Sequence, residues 1–72
     1  MKLTAVKSSM LRAVGYDRKI REMEVVFKTG DVYRYLKVPP STYTALLKAK
    51  SIGAYMQENI IDVHPYYRLP RG

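Results

Sequence analysis

The stretch that decides the fold is Val25-Val26-Phe27-Lys28-Thr29-Gly30-Asp31-Val32-Tyr33-Arg34-Tyr35-Leu36-Lys37-Val38-Pro39. Two runs rich in β-branched and aromatic residues flank a Thr-Gly pair, the pattern of a β-hairpin. A two-residue Thr-Gly loop would hold Thr29 at positive φ, which a β-branched side chain resists. A three-residue loop, Lys28-Thr29-Gly30, needs only Gly30 in the left-handed region and is the expected turn. That choice fixes the register. Val25 then faces Tyr33, Met23 faces Tyr35, Val26 faces Val32 and Glu24 faces Arg34, so every pair is alike in polarity or opposite in charge. The alternative register sets Val25 against Arg34 and Glu24 against Tyr35.

In the chosen register Tyr33 and Tyr35 share a face with Met23, Val25 and Phe27, the expected core face. The opposite face carries Val26, Val32 and Leu36 around a Glu24–Arg34 pair. It is too apolar to be left bare in water, and it is expected to need a cover.

Upstream, Ser8 to Asp17 reads as a first strand, with Met10, Val14 and Tyr16 on one face and Leu11 and Ala13 on the other. Asp17 opens a polar turn through Arg18-Lys19, and the second strand runs from Glu22 to Lys28. Downstream, Val38-Pro39-Pro40 ends the hairpin, since proline donates no ladder hydrogen bond. A helix starts at Pro40 or Ser41, with Ser41 a suitable N-cap, and carries a Tyr43-Leu46-Leu47 stripe. Ser51 can cap a second short helix with Ile52, Tyr55, Met56 and Ile60 on one side. Gly53 inside it costs about 1 kcal/mol relative to alanine, which implies a close approach to another element or a bend. From Ile61 the pattern dissolves into an extended segment that either lies over the second sheet face or stays free. The expected fold is α+β: a three-stranded antiparallel β-meander followed by one or two short α-helices packed on one face.

A chain of 72 residues holds one core and buries only about 60–65% of the surface its unfolded form exposes. Cysteine is absent and there is a single histidine, so no disulfide framework or thiolate zinc site is expected. Small chains without such staples often gain stability by self-association. No apolar run approaches the roughly 20 residues of a membrane span, and Met1-Lys2-Leu3-Thr4-Ala5-Val6-Lys7 is too interrupted for a secretory signal. The expected location is the cytoplasm, with no membrane partner.

Thirteen Lys and Arg stand against six Asp and Glu, a net charge of +7 with a pI near 9.9. Such an excess favours polyanions, nucleic acid foremost, although it also serves solubility alone. Lys7, Arg12, Lys37, Arg68 and Arg71 either converge on one phosphate-binding surface or lie scattered. Arg34 either joins them or only pairs with Glu24. Tyr66-Tyr67-Arg68 offers rings for base stacking if the segment is free, whereas Tyr33 and Tyr35 fit the core better than a stacking surface. Val26, Val32 and Leu36 form the candidate protein interface. Ser8-Ser9 has no base or oxyanion device nearby and suits backbone hydrogen bonding at the strand start. Asp17, Asp31 and Asp62 lack metal-loop spacing, and His64 reads as an ordinary loop histidine. No catalytic residue, metal site or cofactor is expected, and enzyme activity is not expected.

The order of features resembles the KTSC domain family. The residues that carry the resemblance are Val6-x-Ser8-Ser9, Gly15-Tyr16-Asp17, Met23-x-Val25-x-Phe27-x-x-Gly30, Tyr33-x-Tyr35 and Val38-Pro39. The series continues with Tyr43-x-x-Leu46-Leu47, Ala49-x-Ser51-x-Gly53-x-Tyr55 and a tyrosine near the end, so it spans residues 4–67. Thr29 stands where the family more often has asparagine before the glycine. A single such domain over residues 1–65 is expected, with the patternless end, residues 66–72, as an extended C-terminal tail. The family occurs as small stand-alone bacterial and phage proteins and at the C-terminus of some lysyl-tRNA synthetases. That association implies RNA binding only by analogy.

Three functions follow as expectations. The first is a non-catalytic RNA- or nucleic-acid-binding module of low sequence specificity. The second is a protein-interaction or homo-oligomerisation module using the Val26, Val32 and Leu36 face. The third is capture of a small anionic nucleotide.

Overall fold

The computed structural model describes residues 2–70. Five strands form one antiparallel sheet in simple sequence order: β1 (Leu3–Ala5), β2 (Leu11–Asp17), β3 (Glu22–Phe27), β4 (Val32–Tyr35) and β5 (Tyr66–Leu69). Helices α1 (Pro40–Lys48) and α2 (Ile52–Asn59) connect β4 to β5. Leu11, Val14, Met23, Val25 and Tyr35 from the sheet, Val38 from the loop after it, Leu46 and Met56 from the helices, and Ile60 just beyond α2 form the buried core.

The hairpin has the expected register: Met23 opposite Tyr35, Glu24 opposite Arg34, Val25 opposite Tyr33 and Val26 opposite Val32. Gly30 takes φ 95°, its N–H donates to the Phe27 carbonyl at 2.9 Å, and the Phe27 N–H donates to Asp31 at 2.9 Å. This is a three-residue loop closed by a glycine that only a residue without Cβ fits easily.

The sheet has two more strands than the expected three. Leu3–Ala5 pairs with β2, and Tyr66–Leu69 pairs with the free edge of β4. The segment 66–69 is therefore the fifth strand; it neither lies over a sheet face nor hangs free. The edge of β4 presents the backbone groups of Val32 and Arg34, and pairing satisfies them.

The first expected strand also begins later, at Leu11. A register shift between Leu11 and Ala13 marks a bulge at Arg12. The extra residue changes the parity of the strand, so Leu11 and Val14 both reach the core instead of facing opposite ways.

Ser51 caps α2 as expected, its hydroxyl accepting the Ala54 N–H at 3.2 Å. Helix α1 is different: its N-cap is Pro39, with Pro40 as the first helical residue and no side-chain cap, so Ser41 does not serve. Leu46 is buried while Leu47 is 42% exposed, so the stripe on α1 is narrower than Tyr43-Leu46-Leu47. A Cβ on Gly53 would sit 3.4 Å from Met10 Cβ, an ordinary contact that leaves room for a methyl but little beyond it.

Candidate nucleic-acid interface

The sheet has two ends and two faces, and the expected binding residues are divided among them. Lys7 and Arg12 are exposed at the β1–β2 end, and Lys7 lines a shallow cleft of about 520 Å³ with Lys50 beside Leu47. Lys37 is exposed at the opposite end, after β4. Tyr66 lies on the helix-bearing side, its ring stacked on Tyr33 with centroids 5.2 Å apart and planes 4° apart. Arg68, opposite Tyr33, reaches Asp31 at 2.9 Å. Tyr67 lies on the other face, opposite Arg34. Arg71 lies outside the described residues.

Arg34 sits between two carboxylates. Its guanidinium hydrogen-bonds Glu24 and lies 3.6 Å from Glu22. The Glu24 hydrogen bond holds the Arg34 pKa above its ordinary value, against a smaller opposing effect of burial. Val26, Val32 and Leu36 are each half-buried, and the helices pack on the opposite face. Neither helix supplies the cover that this face was expected to need.

The cations converge elsewhere, at the end of the sheet holding the β2–β3 turn. Tyr16 and Tyr43 stack with ring centroids 4.8 Å apart and planes 12° apart. Their rings, with Lys2, Arg18, Pro40 and Thr44, line a cleft of about 350 Å³. Burial raises the Tyr16 phenol's pKa, and the nearby Arg21 and Arg18 oppose that rise, so both guanidinium charges are felt at the hydroxyl. The Val38 N–H donates to the Arg21 carbonyl at 2.8 Å, which joins the turn to the segment bearing Lys37. Arg21 and Lys37 both hold positive φ, at 56° and 58°. Lys2, Arg18, Lys19, Arg21 and Lys37 are exposed and form no ion pair among the described residues.

Of this group the sequence reading had singled out Lys37 alone. The available signal was the run Asp17-Arg18-Lys19-Ile20-Arg21, three cations in a turn that the hairpin logic treated as a connector. Tyr16 and Tyr43 lie 27 positions apart, and nothing in their spacing announces a stack. Among the described residues no cluster of His, Asp or Glu could hold a metal ion, and no helix is long and apolar enough to cross a membrane.

The KTSC domain family profile matches residues 7–66. An uncharacterised protein of Stutzerimonas stutzeri is 42% identical over 67 residues, 93% of this chain and 94% of that protein. A lysine–tRNA ligase of Nostoc punctiforme is 33% identical over 54 residues, which are 75% of this chain but 10% of the ligase. The crystal structure of a KTSC domain protein from Yersinia pestis superposes with a TM-score of 0.93 at 26% identity, covering 96% of this chain and 97% of that one. With the sequence series and the fold agreeing over nearly the whole chain, this protein belongs to the KTSC domain family.

Proposed function

We propose that the protein is a non-catalytic nucleic-acid-binding module that takes single-stranded RNA with low sequence specificity. The observation that carries this reading is one open cleft lined by both the Tyr16–Tyr43 stack and the cations Lys2 and Arg18. Cations hold a phosphate backbone, and an aromatic surface accepts any base because every base has a π-face. Arg21 and Lys37 extend the positive field along the end of the sheet. The match to a segment of a lysine–tRNA ligase is compatible with an RNA partner, by association.

The test is fluorescence anisotropy with labelled single- and double-stranded RNA and DNA at about 50 and 200 mM salt. Neutralising several phosphates weakens binding by more than about tenfold over that range. The Arg18→Glu, Arg21→Glu double variant should lose most of the affinity, and Tyr43→Ala should lose about 1–3 kcal/mol per stacked base. Absence of binding at the lower salt would overturn the proposal.

A further inference from the structure

The two edges of the sheet are unlike. β1 is three residues long and is flanked by Lys2 and Lys7, cations that repel a second copy of the same edge. β5 carries Tyr66, Tyr67, Arg68 and Leu69 between Pro65 and Pro70, with Tyr66 53% and Tyr67 42% exposed.

The hydrogen-bond phase of β5 follows from its neighbours. The Phe27 N–H donates to Asp31, so the β3–β4 ladder bonds through the pairs that include Tyr33 and Tyr35. Val32, Arg34 and Leu36 then turn their backbone groups toward β5, and the Leu36 N–H indeed donates to the Pro65 carbonyl at 2.7 Å. By the alternation of an antiparallel ladder, Tyr67 and Leu69 bond back to β4. Tyr66 and Arg68 direct their N–H and C=O groups outward.

We propose that this edge is a self-association surface, and that its partner is β5 of a second copy of the chain, paired antiparallel about a two-fold axis at Tyr67. Paired residues must share a face and must be outward-pointing to exchange bonds. Placing Tyr66 opposite Arg68 of the partner subunit meets both conditions. Each such pair exchanges two N–H···O=C bonds, and symmetry supplies two pairs. The guanidinium then lies beside an aromatic ring on the helix-bearing side. The two Tyr67 side chains meet on the other face, a favourable cross-strand aromatic pair. Shifting the register by two residues toward the C-terminus places Arg68 against itself and Tyr66 against Pro70, which sets like charges together and removes a donor. The opposite shift places Arg68 against His64, whose N–H already donates to the Ile60 carbonyl. The prolines confine pairing to this short segment, so the assembly closes as a dimer with one continuous sheet.

Each copy carries +7, so screening by salt should strengthen this dimer, the reverse of its effect on RNA binding. The experiment is sedimentation equilibrium of the intact chain from about 10 µM to 1 mM, the range in which weak complexes reveal themselves, at low and high salt. Arg68→Pro is the informative variant. It deletes an outward N–H and leaves the β4 ladder bonds of Tyr67 and Leu69 in place, since proline is tolerated at an edge position facing solvent. Arg68→Ala keeps the N–H and removes the side chain. The expected result is a wild-type dimer that strengthens with salt, weakens in Arg68→Ala and is absent in Arg68→Pro, with circular dichroism confirming that both variants fold. Amide exchange supplies a second readout: the Tyr66 and Arg68 amides should become protected as concentration rises. A mass that stays monomeric throughout, or a dimer that persists in folded Arg68→Pro, would overturn the proposal. If Arg68→Pro does not fold, concentration-independent exchange at those two wild-type amides would overturn it equally.

Discussion

The hydroxyl of Tyr16 donates to the main-chain carbonyl of Val38, 22 positions further along the chain. One bond thus ties the second strand to the loop that leads into α1, while the same ring stacks on Tyr43 within α1. Tyr16→Phe keeps the stack and deletes the bond. It should cost about 1 kcal/mol, or a fall of about 4–8 °C in melting temperature for a domain of this size. An unchanged melting temperature would show that water replaces the phenol at Val38 without loss.

Arg34 and Glu24 should be worth more together than an ordinary surface pair. Their side chains are only 25% and 17% exposed, and Glu22 adds a second carboxylate at 3.6 Å. A double-mutant cycle of Arg34→Ala and Glu24→Ala should give a coupling above the about 0.2–1 kcal/mol of exposed pairs. The buried Nε of Arg34 has no hydrogen-bond partner among the described residues, which offsets part of the gain. A coupling near zero would mean that desolvation cancels the attraction.

Two glycines should respond in opposite ways. Gly30→Ala forces a side chain into φ 95° and should destabilise by about 1 kcal/mol or more. At Gly53 an alanine Cβ would touch Met10 Cβ at 3.4 Å, and Met10 lies on a half-buried loop. There the helix-propensity gain of up to about 1 kcal/mol should survive, so Gly53→Ala is expected to be neutral or stabilising. Gly53→Leu should displace the loop and destabilise. Chemical denaturation of all three variants tests the ordering.

The Tyr35 phenol is pushed up to about 12, first by burial and then by the nearby Tyr33, Tyr66 and Asp62. The folded chain therefore holds that proton where the unfolded chain, with an ordinary phenol pKa of about 10, releases it. Tyr35's contribution is complete below about pH 10 and declines as pH rises toward 12. Wild type should lose stability over this window faster than Tyr35→Phe, in which the linkage is absent. Titrating lysines affect both proteins alike, so parallel losses would show that the Tyr35 proton is not linked to folding.

The hairpin was legible in the sequence because each pairing of Met23–Val26 with Val32–Tyr35 could be checked for charge and polarity against an alternative register. The bulge at Arg12 was not, because a single inserted residue leaves hydrophobic alternation intact on either side and changes only the parity between them. β5 was missed for another reason. Tyr66-Tyr67-Arg68-Leu69 is flanked by prolines and holds three residues that are exposed, so its pairing comes from the open edge of β4 and not from an apolar pattern of its own. The cationic cleft was hidden by distance along the chain, since Lys2, Arg18 and Tyr43 meet only through the sheet.

The detour through α1 and α2 also imposes an order in time. Strands β2, β3 and β4 are joined by turns of a few residues, so their contacts close small loops and form early. Tyr35 and Tyr66 are 31 positions apart in the chain, so their pairing closes a far longer loop and is expected to follow. β5 is thus expected to pair late, and each opening of this edge would break the Tyr66–Tyr33 stack.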